Sequence, residues 1–201
     1  MVVRLIEWIN IIVLILSTIL FLYYYVKSAS PAQLEKKIGE EAYPKCMRYR
    51  LIASTFESIT VINYILYVFY PLPIGLPLVF PWPWLTSVII GILILIPSLS
   101  LMAVGMKDAG RETIEPKKEH KLYGGIYETI RHPQAIGESF VWMPIALFLN
   151  SPFLVLYSFI WFPVLYLMCI AEEQDLILRY GEPYIEYRER VGFLIPKKSK
   201  K

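Results

Sequence analysis

The chain has 201 residues, a formal net charge of +3 and a hydrophobic content of 56%. That content exceeds the roughly 45–50% of soluble domains, and so small a charge gives no footing for a nucleic-acid partner. Nineteen of the 20 Lys and Arg residues lie in three blocks, 27–50, 107–131 and 179–201, and the runs between them hold no basic residue. Long apolar runs alternating with basic blocks exclude a soluble enzyme. They predict a multi-pass membrane protein with its basic loops on the cytoplasmic face.

A helix needs roughly 20 apolar residues to cross a hydrocarbon core of about 30 Å. Five runs reach or approach that length, at about 5–26, 51–70, 84–106, 133–150 and 152–171. The first is too long for a signal-peptide core, and the loop after it carries cytoplasmic-type charge, so it reads as a retained span. It ends in Tyr23-Tyr24-Tyr25 and Lys27, an interfacial aromatic belt with a cation reaching for the headgroups.

Residues 31–48 read as a charged amphipathic loop, helical after Pro31, with Ser30 placed to cap it. Pro71 to Pro83 contains five prolines and no charge, which predicts a non-helical hairpin at the outer interface. A fourth helix is expected to start at Pro133, a favoured first-turn residue. Asn150-Ser151-Pro152 then makes a tight turn into a fifth span that ends at Glu172-Glu173. An amphipathic helix broken at Gly181 follows.

The expected fold is therefore all-α. It is a single domain over 1–201, a transmembrane helical bundle of about five spans with a long polar cytoplasmic loop and a C-terminal helix. The N-terminus is expected outside, and the basic loops and C-terminus in the cytoplasm. The two cysteines, Cys46 and Cys169, fit neither a disulfide framework nor a metal site, and no metal is expected.

The polar segment 107–131 leads through Gly124-Gly125-Ile126-Tyr127 into Arg131-His132-Pro133. A glycine pair admits close backbone approach, and the start of the fourth helix offers free N–H groups suited to an anionic group. A plain structural role for this turn, with His132 as a cap, is the competing reading. Glu138 lies five residues into that helix, and Glu57 lies within the second span. Intramembrane carboxylates are costly unless they face a cavity or a partner. No Lys or Arg lies inside any expected span to pair with them. With Glu172 and Glu173, they suggest an inner-side cavity for a cationic or amine-bearing group.

Gly125-Ile126-Tyr127, Arg131-His132-Pro133, Gly137, Glu172-Glu173 and Tyr180-Gly181 with Tyr184 and Tyr187, closed by Arg190-Val191 and Ile195-Pro196, form one constellation. It resembles the isoprenylcysteine carboxyl methyltransferase family over roughly the C-terminal 85 residues. The first three helices are similar only in being helices. The resemblance implies an integral membrane O-methyltransferase that binds S-adenosylmethionine and releases S-adenosylhomocysteine, with a cofactor region at about 107–135 and 172–196. It implies cofactor contacts at His120, Lys121, Leu122, Tyr123, Tyr127, His132, Pro133, Gln134, Ala135 and Glu172, with Glu172 on the cofactor's amino group. His132 and Glu138 are the expected catalytic pair. The acceptor would be lipophilic, the C-terminal carboxylate of an isoprenylated cysteine or an analogue, entering from the bilayer among membrane lipids.

Two departures bear on the acceptor. Family members acting on prenylated cysteine carry an arginine where this chain has Met168, and the family tyrosine after His-Pro-x is Ala135. Related methyltransferases act on phospholipid amines or thiols. Membrane sterol and steroid reductases share a similar ending, with Gly137-Glu138 fitting their version and NADPH as their cofactor. A membrane scaffold that uses the fold for binding alone is the non-catalytic alternative.

Overall fold

A computed structural model describes residues 2–110 and 124–197. It is an all-α bundle: α1 (Val2–Ser28), α2 (Pro31–Ile38), α3 (Ala42–Phe69), α4 (Trp84–Ala109), α5 (Pro133–Phe148), α6 (Pro152–Ser158), α7 (Trp161–Tyr180) and α8 (Glu182–Arg190). Short 3-10 turns at Gly39–Glu41 and Gly125–Glu128 join them. Among the described residues no strand forms, and only an isolated parallel bridge pairs Ile130 with Gly192.

Among the described residues four helical stretches are long and apolar enough to cross a membrane: Leu5–Ser28, Pro31–Phe69, Trp84–Ala109 and Pro152–Tyr180. The expected span at 133–150 is a helix that starts at Pro133 as anticipated but holds only 16 residues. At 1.5 Å per residue that is about 24 Å, short of the hydrocarbon thickness. It runs antiparallel along α4, from Gly105 beside Pro133 to Gly91 beside Phe148. Glycine makes that packing close: a Cβ on Gly137 would sit 2.5 Å from the Ser98 carbonyl oxygen of α4. Small residues let membrane helices approach in this way, because packing rather than water exclusion holds them together.

Three other expectations change. The second span begins well before Leu51, because α3 carries its charged first turns, with Lys45, Arg48 and Arg50, as continuous helix. The last span does not end at Glu172-Glu173: α7 continues to Tyr180, where Gly181 at φ 63° turns the chain into α8. Ser30 does not cap α2, since its hydroxyl donates to the Val26 carbonyl at 3.0 Å. The buried carboxylate of Asp175 on α7 caps α2 instead, accepting the N–H groups of Ala32 at 2.8 Å and Gln33 at 3.2 Å. An acceptor at a helix N-terminus need not be local in sequence.

Pairing follows the hairpins. α1 packs along α3 and α4 along α5, and α7 touches α1, α2 and α5, whereas α3 and α4 hardly meet. One half of the bundle is filled by aromatics. Trp142 and Trp161 stack at 3.9 Å, Tyr64 closes on Trp142 at 5.3 Å, and Tyr67 stacks on Phe153 at 4.6 Å. The proline-rich hairpin is non-helical as expected. It is tied down where the Trp84 indole N–H donates to the Phe148 carbonyl and Ser87 donates to Asn150.

Candidate functional site

The other half of the bundle encloses a cavity of about 450 Å³ between the two helix pairs, with α7 as its back wall. Its size falls within the roughly 300–1,000 Å³ usual for cofactor and ligand sites. The lining residues recur at helical spacing. On α7 they are Leu165, Met168, Cys169, Glu172, Asp175, Leu176 and Arg179, and on α3 Met47, Arg50, Leu51, Ser54 and Glu57. Residues three and four apart share one face of a helix, so each helix presents one continuous stripe. Phe21 and Tyr25 of α1, Met102 and Met106 of α4, and Ala135 and Glu138 of α5 complete the walls.

The turn before α5 is held from three sides. Gly125 adopts φ 63°, and a Cβ there would fall 2.2 Å from the Asp108 carboxylate, so only glycine fits. The same carboxylate accepts the Ile126 N–H at 2.8 Å, fixing the start of the 3-10 turn to the end of α4. Tyr127 then faces the cavity, and its hydroxyl accepts from the Gln134 amide at 2.8 Å. Burial pushes the Tyr127 phenol well above its ordinary range, which keeps it neutral. Its carbonyl accepts the Tyr187 hydroxyl at 2.7 Å, and burial pushes that phenol up to about 12.

Arg131 turns away from bulk water. Its Nε donates to Glu173 Oε1 at 2.6 Å and its Nη1 to the carbonyls of Arg188 and Val191, while its backbone N–H reaches the Gly192 carbonyl. Glu173 also forms an ion pair with Arg188, Nε to Oε2 at 2.9 Å. His132 is no cap, because it makes no side-chain capping bond. The ring is 6% exposed and packs edge-on against Phe193 at 4.8 Å. Its Nε2 lies 3.1 Å from Glu173 Oε1, and its Nδ1 lies 3.7 Å from Glu172 Oε2. Glu172 Oε1 accepts the Tyr25 hydroxyl at 2.8 Å.

Of the expected site residues, Tyr127, His132, Gln134, Ala135, Glu138 and Glu172 share this cavity. Pro133 is fully buried beside Gly105 of α4 and positions the helix start. His120, Lys121, Leu122 and Tyr123 lie outside the described residues. Glu57 arrives from α3 to line the same cavity as Glu138.

Sequence reasoning missed three charged lining residues, Arg50, Asp175 and Arg179. The α7 pair follows from extending the stripe of Met168 and Glu172 by three and seven positions. Arg50 follows likewise from counting back from Glu57 once α3 is known to begin at Ala42. Arg50 packs its guanidinium 5.5 Å over the Tyr25 ring and donates from Nε to the Ser28 hydroxyl at 3.4 Å. The cavity thus carries cations as well as carboxylates.

This arrangement is chemically suited to a zwitterion with an apolar part. Carboxylates face an ammonium, guanidiniums face an anion, and methionine, leucine and phenylalanine line the remainder. Among the described residues no cluster of His, Cys, Asp and Glu could hold a metal ion. Residues 84–183, from α4 into α8, match the family model of the phospholipid methyltransferases, membrane methyltransferases related to the isoprenylcysteine carboxyl methyltransferases. No curated protein matches the chain.

Proposed function

We propose that this protein is an integral membrane methyltransferase that takes its methyl group from S-adenosylmethionine and passes it to a lipid acceptor. The observation that carries the reading is a cavity on which Tyr127, His132, Gln134 and Glu172 converge, all four from the segment similar to phospholipid methyltransferases. The cofactor suits these residues. Glu172 and His132 Nδ1 face its ammonium, and the N–H groups opening α5 suit its carboxylate. When bound, S-adenosylmethionine supplies a methyl group on a positively charged sulfur. One arginine from each basic block, Arg50, Arg131 and Arg179, lines the cavity, which supports a cytoplasmic mouth and an outside N-terminus.

The acceptor enters from the bilayer through the slot between α3 and α4. Both helices line the cavity, at Leu51 and Ser54 and at Met102 and Met106, yet they hardly pack against each other. Among the described residues, the other helical walls of the cavity are the packed helix pairs and α7.

The acceptor we favour is the amine of a phospholipid headgroup. Glu57 and Glu138 attract an ammonium and repel a carboxylate, and Arg50 and Arg179 in the same cavity suit the adjoining phosphate. An ammonium has no lone pair to attack with, so a carboxylate must first take its proton, and Glu138 with Glu57 is placed to do so. The chain then holds nitrogen and methyl in line and excludes water. A second reading, the carboxylate of an isoprenylated cysteine, is supported by Arg50, which brings to the cavity the cation that Met168 does not.

Methyl transfer from radiolabelled S-adenosylmethionine decides between these readings, with vesicles of phosphatidylethanolamine or with farnesylcysteine analogues as acceptor. Label in the phospholipid that falls with Glu57→Gln and Glu138→Gln supports the amine. Label in the farnesylcysteine analogue alone, unchanged by those substitutions, overturns it in favour of the carboxylate. Label in neither, with cofactor bound, removes both acceptors.

A further inference from the structure

Glu172 and Glu173 are adjacent in sequence, yet only Glu172 lines the cavity. Successive residues point about 100° apart around a helix, so Glu173 is directed behind the cavity wall, where it is 3% exposed. There it meets Arg131 Nε at 2.6 Å and His132 Nε2 at 3.1 Å by hydrogen bonds, and the Arg188 guanidinium by an ion pair at 2.9 Å. A carboxylate between two guanidiniums offers acceptors only. The short contact to His132 therefore requires that Nε2 carry a hydrogen and donate it.

That has a consequence on the other side of the ring. A neutral imidazole has one N–H, and with Nε2 holding it, Nδ1 is a bare lone pair. Nδ1 stands 3.7 Å from Glu172 Oε2, beyond hydrogen-bond range. Two acceptors at that separation do not satisfy each other, but they converge on a single group with several N–H donors.

We propose that Glu173 is a positioning residue that holds His132 in the Nε2–H tautomer, so that Nδ1 and Glu172 together form a two-acceptor seat for one ammonium group. On the reading that the cavity binds S-adenosylmethionine, that group is the cofactor's amino group. Arg131, itself fixed by the Gly192 carbonyl on its backbone N–H, keeps Glu173 from rotating away, and Arg188 adds an ion pair on the other carboxylate oxygen. Glu173 touches no ligand and acts through the ring.

The test is nitrogen-15 NMR of the histidine rings in the detergent-purified full chain, with and without S-adenosylhomocysteine. Only His120 and His132 contribute, and His132→Asn assigns the ring by removing its signals. The expected spectrum at neutral pH shows a hydrogen on Nε2 and a bare Nδ1. A ring with hydrogen on Nδ1, alone or on both nitrogens, overturns the proposal whether or not any variant folds.

Glu173→Gln should mix the tautomers and weaken S-adenosylhomocysteine binding roughly tenfold, the scale of one hydrogen bond to a charged group. Arg188→Met breaks an ion pair of the same carboxylate but leaves the ring contact. It should lower the melting temperature without changing the tautomer, and a tautomer change in that variant would reduce Glu173 to a purely structural role. The expected tautomer in a protein that binds no S-adenosylhomocysteine would refute the cofactor reading and leave the positioning role standing.

Discussion

The two halves of the bundle are built from the same helices and behave oppositely. Near the proline-rich hairpin, Tyr64, Trp142 and Trp161 stack into a filled core, and Trp161 is fully buried. Toward the basic blocks the same α3, α5 and α7 diverge around a cavity of about 450 Å³ with Glu57, Glu138 and Glu172 on its walls. The difference lies in the residues of each stripe. Large rings fill the space at one end, while at the other the stripes carry serine, methionine and charge. One half holds the helices in register so that the other can remain open.

The largest effect should follow from opening the filled half. Trp161→Ala removes a fully buried indole stacked on Trp142. It should cost about 3–5 kcal/mol, read as a fall in thermal or denaturant stability in detergent. If stability is retained, the aromatic half is not the clamp we describe.

Glu172→Gln should do the reverse, weakening S-adenosylhomocysteine binding by roughly tenfold to a hundredfold, since a hydrogen bond to a charged group contributes about 1.5–3 kcal/mol. Stability should hold, because glutamine still accepts the Tyr25 hydroxyl. Wild-type affinity in calorimetry would remove Glu172 from the site.

Closing the slot sharpens the comparison further. Cysteines introduced at Ser54 and Met102 and joined by a bifunctional maleimide should abolish transfer to a lipid acceptor but spare S-adenosylhomocysteine binding. The native Cys46 is buried, and Cys169, which lines the same cavity, is first replaced by alanine so that it does not compete for the reagent. Full activity after quantitative cross-linking would place the entrance elsewhere.

The smallest effect is expected at the C-terminal clasp. Tyr187→Phe loses its bond to the Tyr127 carbonyl and should cost about 1 kcal/mol, measured as a small drop in melting temperature. Burial raises this phenol from its ordinary 10.0 to about 12. Its contribution should therefore be intact below pH 10 and lost as pH climbs through 12, with no loss on acidification. An unchanged high-pH limb in Tyr187→Phe would show that this contact adds no pH-dependent stability.

Much of this comparison was legible in the sequence. Hydropathy located the helical runs, Pro133 marked the start of α5, and the prolines from 71 to 83 marked a non-helical hairpin, because these signals act within a few residues. The cost of intramembrane charge also flagged Glu57 and Glu138 as residues in need of a cavity or a partner. What stayed hidden depends on distance through space. Asp175 caps a helix more than 140 residues away in sequence, and Arg50 reaches the cavity because α3 begins at Ala42, about two and a half turns before its apolar run. Hydropathy marks where a helix enters apolar surroundings, so it ended the last span before Glu172 and treated two neighbouring carboxylates as equivalent. The family resemblance singled out Glu172, and the continuous α7 turns that residue into the cavity and Glu173 behind it.

The most direct test is calorimetry on the detergent-purified wild-type chain, titrated in turn with S-adenosylhomocysteine and with NADPH. A methyltransferase cavity predicts binding of S-adenosylhomocysteine, on the order of micromolar Kd or about −8 kcal/mol, and none of NADPH. Binding of NADPH alone would contradict it and point to the reductases that share the Arg-His-Pro turn, and binding of neither would leave a scaffold.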